Sequence, residues 1–354
     1  MLQRLRERIS PTDILMWIVG IALLGAIIYG SIVTIAAGRY TMRQWFDIFV
    51  SGLAQGSIYA LIALGYTLVY GVLRMINFAH SEVFMSGAYI GYFVADGLNR
   101  SGMLQANPIV GLLIIFAAAI LTSVTVAILL ERIAYRPLRR APRLVPLITA
   151  IGASFFLQYL FRGLFGSKFK PYPDIAQLSG GITLAEGFSV GKIELMVIIS
   201  SAILMFILYL YVQNSKAGKA MRAVAEDKDV AALMGINVDS AIVRTFVLGG
   251  AMAGAAGVLY ALLFRNISYF MGFIPGIKAF TAAVLGGIGN IPGAMLGGLF
   301  LGLIESVGPS LFLEGLHIPA AYQLKDVIAF TMLVMVLIFR PTGILGEQVA
   351  VKKA

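Results

Sequence analysis

Apolar residues run along this chain in blocks of about twenty, the length a helix needs to cross a hydrocarbon core of about 30 Å. They fall at 14–37, 46–72, 77–96, 108–131, 144–164, 193–213, 241–264, 291–313 and 324–340. A further block, 273–289 (FIPGIKAFTAAVLGGIG), is shorter and interrupted by glycine and proline. Broken backbone of this kind is tolerated at membrane depth only where protein buries it or where it lines a cavity. The pattern predicts an all-α, polytopic transmembrane bundle of nine to ten spans with one short broken or re-entrant segment, either 273–289 or 77–96.

The polar intervals are short, and only one carries a helical period of its own. In 216–237 (KAGKAMRAVAEDKDVAALMGIN), Ala217, Ala220, Met221, Val224 and Ala231 recur on one helix face, with Lys228 interrupting the stripe. Lys219, Arg222, Glu226 and Asp229 share the other face, and Gly235 is a stop. An amphipathic helix hung between membrane spans needs a surface to dock on, and charges of both signs suit a protein groove better than lipid.

Composition removes the alternative of a second, soluble domain: of 354 residues 59% are hydrophobic and 12% charged, and mean hydropathy is +0.90. The net charge of +10 sits mainly between the spans, where it sets orientation and gives no reason to invoke nucleic acid. Arg132, Arg136, Arg139, Arg140 and Arg143 crowd 132–143, and Lys216, Lys219, Arg222 and Lys228 mark 214–240. Both intervals are expected in the cytoplasm, and 165–192 between them outside. The basic N-terminus and a C-terminus with Arg340, Lys352 and Lys353 are expected inside too. That parity demands an even number of crossings and makes 273–289 the tenth. The first apolar run is longer than the core of a cleaved signal, so it is a retained helix. Thr12 or Asp13 would cap it, with Trp17 near the interface.

Glycines recur every four residues at Gly289, Gly293 and Gly297, followed by Gly298 and Gly302, and again at Gly250 and Gly254. Small residues at this spacing let helix backbones approach closely, so they are expected to be packing faces.

Candidate chemistry is sparse. The chain has no cysteine and only two histidines, His80 and His317, so neither thiolate chemistry nor a histidine-rich metal site is expected. No nucleophile–base pairing suggests catalysis. Leu178-Ser-Gly-Gly181 resembles a fragment of an ATPase motif, but the chain has no phosphate-binding loop to accompany it. Polar residues inside spans say more, because they are costly unless they face a partner or a path. They include Gln55, Ser57, Tyr59 and Tyr66, Asn77 and Glu82, Gln158, Thr281 and Glu305. Glu305 is either a pathway or subunit-contact residue or an acid reaching headgroup water. His80, two residues from Glu82 and so on another helix face, is expected to be a hydrogen-bonded interfacial histidine.

Five ordered blocks carry a resemblance. Gly52 to Gly71 (GLAQGSIYALIALGYTLVYG) with Met75-Ile-Asn-Phe-Ala-His-Ser-Glu82 is the first. The others are Glu131-Arg-Ile-Ala-Tyr-Arg-Pro137, Ala225-Glu-Asp227 through Leu233-Met-Gly-Ile-Asn237, Lys278 to Gly289 with Ile291-Pro-Gly-Ala294, and Pro341-Thr-Gly-Ile-Leu-Gly346. Over about residues 45–346 the chain resembles the H-type permease of branched-chain amino acid ABC importers. Two departures stand out: residues 1–45 add a tail and a first helix to the 46–346 permease domain, and Ser81 replaces the expected glycine. Residues 347–354 form a second tail.

The resemblance implies a permease subunit in a bacterial cytoplasmic membrane, importing leucine, isoleucine or valine by alternating access. Its implied partners are a second related permease, two cytoplasmic ATPase subunits and an external solute-binding protein. ATP and Mg would bind those ATPases, and no cofactor would bind this chain. It makes 216–237 the coupling helix, with Gly218, Met221, Arg222, Ala225, Glu226, Asp227, Ala232 and Gly235 as its ATPase-facing residues. Gln55, Ser57, Tyr59, Asn77, Glu82, Thr281 and Glu305 are the candidates for the path. Permeases for urea, amides or other amino acids share these blocks. A secondary transporter or channel would show a second broken helix matching 273–289 or a charged relay. A single cysteine placed at Ala141 is expected to resist membrane-impermeant thiol reagents in intact cells; labelling there would overturn the assigned sidedness.

Overall fold

The computed structural model describes residues 11–139, 141–142, 144–185, 187–340 and 342–346. Arg140, Arg143, most of the N-terminal tail and the tail 347–354 lie outside the described residues, as do the side chains of Thr12 and Asp13. Helix α1 spans Pro11–Ala36, α2 Met42–Leu73, α3 His80–Arg100, α4 Pro108–Leu129, α5 Leu144–Phe165 and α6 Lys192–Asn214. Two short helices follow, α7 (Lys216–Glu226) and α8 (Lys228–Leu233). The remainder are α9 (Val238–Phe264), α10 (Phe273–Gly286), α11 (Ile291–Gly308) and α12 (Lys325–Phe339). Among the described residues, strands are confined to β1 (Lys170–Pro171), β2 (Gly181–Ala185), β3 (Phe188–Gly191) and β4 (Asn266–Ile267), where β1 pairs antiparallel with β4 and β2 with β3.

Local sequence explains where the long helices start. Thr41 accepts from Gln44 N while the Gln44 side chain returns to the Thr41 N–H, a reciprocal cap that opens α2. Asn237 caps α9 through Ser240 N, and Asn290 caps α11 through Gly293 N with Pro292 in the first turn. α4 runs on through a π-helical turn, Leu130–Tyr135, and a 3-10 turn, Arg136–Leu138.

Among the described residues, eight helices are long and apolar enough to cross a membrane. Contacts at their ends sort the connections onto two faces. On one, Arg74 Nη2 donates to Ala225 O at 3.3 Å, Arg136 pairs with Asp239 at 2.7 Å, and Ile344 N donates to Leu285 O at 2.8 Å. On the other, Tyr40 Oη donates to Glu314 Oε1 at 2.6 Å, Gln105 Nε2 donates to Asp174 O at 2.7 Å, and β1 meets β4. The connections alternate between these faces only if α3 and α10 also join them, which gives ten traverses.

Neither α3 nor α10 spans the whole thickness as a helix. Gly65, eight residues from the end of α2 and so about 12 Å inside it, packs directly against the His80 ring. Gly249, roughly 16 Å along α9, packs against Gly65 in turn. The first turn of α3 therefore lies at mid-depth, with 74–79 as its non-helical lead-in. Gly272 and Gly276 pack on Ser81, which places the start of α10 at the same depth, reached from the opposite face through 265–272. The pattern predicted one broken pass and left 77–96 or 273–289 to supply it. The structure breaks both, and they meet.

Glycine contacts hold the centre. Gly298 and Gly302 lie against Ala60 and Gly56 of α2, Gly250 and Gly254 against Ser123 and Ala119 of α4, and Gly293 and Gly297 against Gly286 and Ala282 of α10. Gly289 is the exception, since it serves a turn at φ +98. Ser306 Oγ adds a bond to Ile48 O at 2.8 Å across the α2–α11 seam. Gly302→Leu is expected to destabilise the bundle by at least about 1–3 kcal/mol, the usual scale of overpacking, and to lower Tm in detergent. Gly163→Ala, where a Cβ meets open space, is expected to leave Tm unchanged.

Candidate functional site

The polar interval 216–237 folds as two helices, not the single one its period predicted. Asp227 takes an extended conformation and its Oδ1 accepts from Asp229 N at 2.9 Å and Val230 N at 3.0 Å. That cap starts α8 and stops α7, because a side chain that satisfies the N–H groups of a new helix competes with continuing the old one. Ser215 caps α7 in the same way. Gly218, Met221 and Val224 are buried; Gly218 lies against the Val212 backbone, where a side chain would not fit. Arg222 donates to Gln213 Oε1 and O, and Ala225 O accepts from Arg74 at the end of α2. Glu226, Asp227 and Ala232 are exposed, and Gly235 turns the chain at φ +81. The tip of α8 leaves Leu233 86% and Met234 78% exposed, with Val230 beside them.

Lys228, the flaw in the apolar stripe, is half-buried. Its desolvation, with the charges of Arg139 and Arg74 nearby, holds its ammonium below the usual lysine range. Arg139 binds both buried Glu131 and Asp239, so part of the arginine cluster is neutralised from α9 and from the π turn. The pair α7–α8 is thus tied to the ends of α2 and α6, while Arg136 and Arg139 tie the end of α4 to the start of α9.

Two polar clusters occupy the interior. In the first, Lys278 on α10, 3% exposed, places Nζ 2.5 Å from Glu305 Oε1 on α11 and 2.6 Å from Asp326 Oδ1 on α12. Tyr59 Oη on α2 donates to Glu305 Oε1 at 3.4 Å. The Glu305 carboxylate is itself 1% exposed, held by side chains of α2 and α10. Lys278 is the only buried lysine or arginine among the described residues, and the sequence reading missed it; its position in a broken segment was the available signal.

The second cluster surrounds Glu82 on α3. Glu82 is 0% exposed, and its Oε1 accepts from Gln158 Nε2 at 2.7 Å, Ser154 Oγ at 3.2 Å and Ser81 Oγ at 3.2 Å. Gln158 and Ser154 stand one turn apart on α5, so the polar face of an otherwise apolar helix is spent on this carboxylate. Asn77 accepts from Tyr135 Oη at 2.5 Å just below. His80 is buried under Gly65 and edge-on to Tyr66, which corrects the expectation of an interfacial histidine. Other candidates serve local roles. Ser57 and Thr281 donate to carbonyls of their own helices, Leu53 O and Ile277 O, and Gln55 reaches Ser51 Oγ at 3.5 Å.

The family described as branched-chain amino acid transport system / permease component matches residues 48–337. The high-affinity branched-chain amino acid transport system permease protein BraD of Pseudomonas aeruginosa is 46% identical over 302 residues, covering 84% of this chain and 94% of its own. LivH proteins of the same description from Salmonella typhimurium and Escherichia coli K12 are each 42% identical over 315 residues, covering 87% of this chain and 96% of theirs. The chain belongs to the permease-component family of branched-chain amino acid transport systems.

Proposed function

We propose that this chain is the membrane permease subunit of a binding-protein-dependent ABC importer that moves branched-chain amino acids inward, driven by ATP hydrolysis in partner subunits. The observation that carries this reading is the family match over 48–337, together with relatives named as high-affinity branched-chain amino acid permeases. The face bearing Arg136, Arg139 and α7–α8 is the cytoplasmic one on this reading, because positive residues stay inside. An inner bacterial membrane with both termini in the cytoplasm follows.

The exposed tip Val230, Leu233 and Met234 supports α7–α8 as the ATPase-docking element. An apolar tip rimmed by Glu226, Asp227 and Asp229 suits a groove on a soluble protein. A second related permease and an external binding protein complete the assembly, and ATP with Mg belongs to the ATPases.

The test is uptake of labelled leucine by cells expressing the permease with its four partner chains, with and without ATP depletion. ATP-dependent uptake is the expected result, and its absence in the complete assembly would refute the reading. Leu233→Asp or Ala225→Arg is expected to cut uptake at least about tenfold at unchanged membrane abundance, on the scale of losing an interface anchor. Retained uptake would remove α7–α8 from the docking role. Glu305→Gln leaves Lys278 with a weaker partner in the interior and is expected to impair transport at unchanged expression, measured in the same assay.

A further inference from the structure

Three features converge at the mid-depth junction of α3 and α10. Both helices begin there without a side-chain cap: neither Ala79 nor Gly272 offers a side-chain acceptor to the first turn. Thr41, Ser215, Asp227, Asn237 and Asn290 all supply one to the helices they open. The positive ends of two helix dipoles therefore meet inside the bundle, and the acid that lies between them is Glu82. Glu82 lies in the first turn of α3, and its two oxygens are treated differently. Oε1 takes all three side-chain donors, while Oε2 is buried with no hydrogen-bond partner among the described residues. A Cβ added at Gly272 would stand 3.1 Å from that free oxygen, so Oε2 is aimed at the N-terminus of α10. No lysine or arginine pairs with Glu82 among the described residues, in contrast to Glu305 and Glu131.

A carboxylate kept dry with one oxygen unmatched is costly, unless a positive group comes to it in part of the working cycle. Uncapped helix N-termini favour a negative group in the same way. We propose that this junction is a membrane-interior site for the zwitterionic head of an α-amino acid, with Glu82 Oε2 receiving the α-ammonium and the starts of α3 and α10 receiving the carboxylate. The contacts of Gly272 and Gly276 with Ser81 close the site in this state, and it opens when the two helix starts separate. The inference deepens the proposed import of amino acids and rests on it. It adds a recognition step inside the membrane that depends on the head group and not on the aliphatic side chain.

The experiment uses the complete importer assembly. Glu82→Gln keeps the shape and the polar contacts but removes the charge; Glu82→Asp keeps the charge on a shorter stem. Leucine uptake is expected to fall at least about tenfold in Glu82→Gln at unchanged membrane abundance, the scale on which an unpaired buried charge is felt, and to fall less in Glu82→Asp. Uptake by Glu82→Gln equal to or above that of Glu82→Asp would assign the residue to structure and overturn the proposal. A second measurement stands without altering Glu82. The chain has no cysteine, so Phe273→Cys in the first turn of α10 gives a single thiol. Its modification is expected to be slowed by leucine but not by 2-hydroxy-4-methylpentanoate, which has the same side chain and carboxylate and no ammonium. Equal protection by both compounds, or by neither, would overturn the site. Failure of the unaltered assembly to import any branched-chain amino acid would instead refute the parent reading.

Discussion

Within a bilayer no water is present to satisfy a polar group, so each must find its partner inside the protein. Most of this structure follows from that requirement. Hydroxyls spend themselves on carbonyls of their own helices, as Ser57, Thr245 and Thr281 do. Charges gather into closed groups such as Lys278 with Glu305 and Asp326. The non-helical stretch 265–272 lies against α3 through Gly272, and the start of α3, to which 74–79 leads, lies against Gly65 of α2, Gly249 of α9 and Gly276 of α10. Apolar burial does not drive helices together in lipid, so close backbone packing and these polar contacts have to do so.

The same constraint ties the exposed helix pair to the interior. Arg74 ends α2 in a left-handed conformation and donates to Ala225 O. Six residues later the chain reaches His80, and two more bring it to Glu82. The exposed pair is thus bonded to the helix end from which the non-helical segment 74–79 leads to Glu82. Lys278 on α10 binds α11 and α12 at once, so the second turn of α10 is held to both by ion pairs.

Much of the fold was legible because it depends on short-range period and composition. Twenty-residue apolar runs, the arginine interval and the parity of basic termini led to ten traverses, and the four-residue glycine spacing pointed to the seams that hold them. The candidate site was legible in part. Glu82, Glu305, Tyr59 and Asn77 were singled out as polar residues at apolar depth, and each has a polar partner from another helix. Lys278 was not among them, because its two acidic partners lie on other helices, 27 and 48 positions away, where no local pattern connects them. The stop at Asp227 escaped notice because the apolar period continues past it, while the cap depends on one side-chain rotation.

Sequence alone determined that this is a multi-pass helical bundle, which residues are too polar for its interior, and which interval stands apart from the membrane. Those follow from hydropathy and helical period, which are local quantities. Only the tertiary structure decided which charge meets which and where the broken helices begin. Tyr59 and Glu305 are 246 positions apart, and Glu82 draws its donors from α5, 72 and 76 positions away. A one-dimensional pattern carries no record of such encounters, because they are fixed by how glycine-lined surfaces fit together in space.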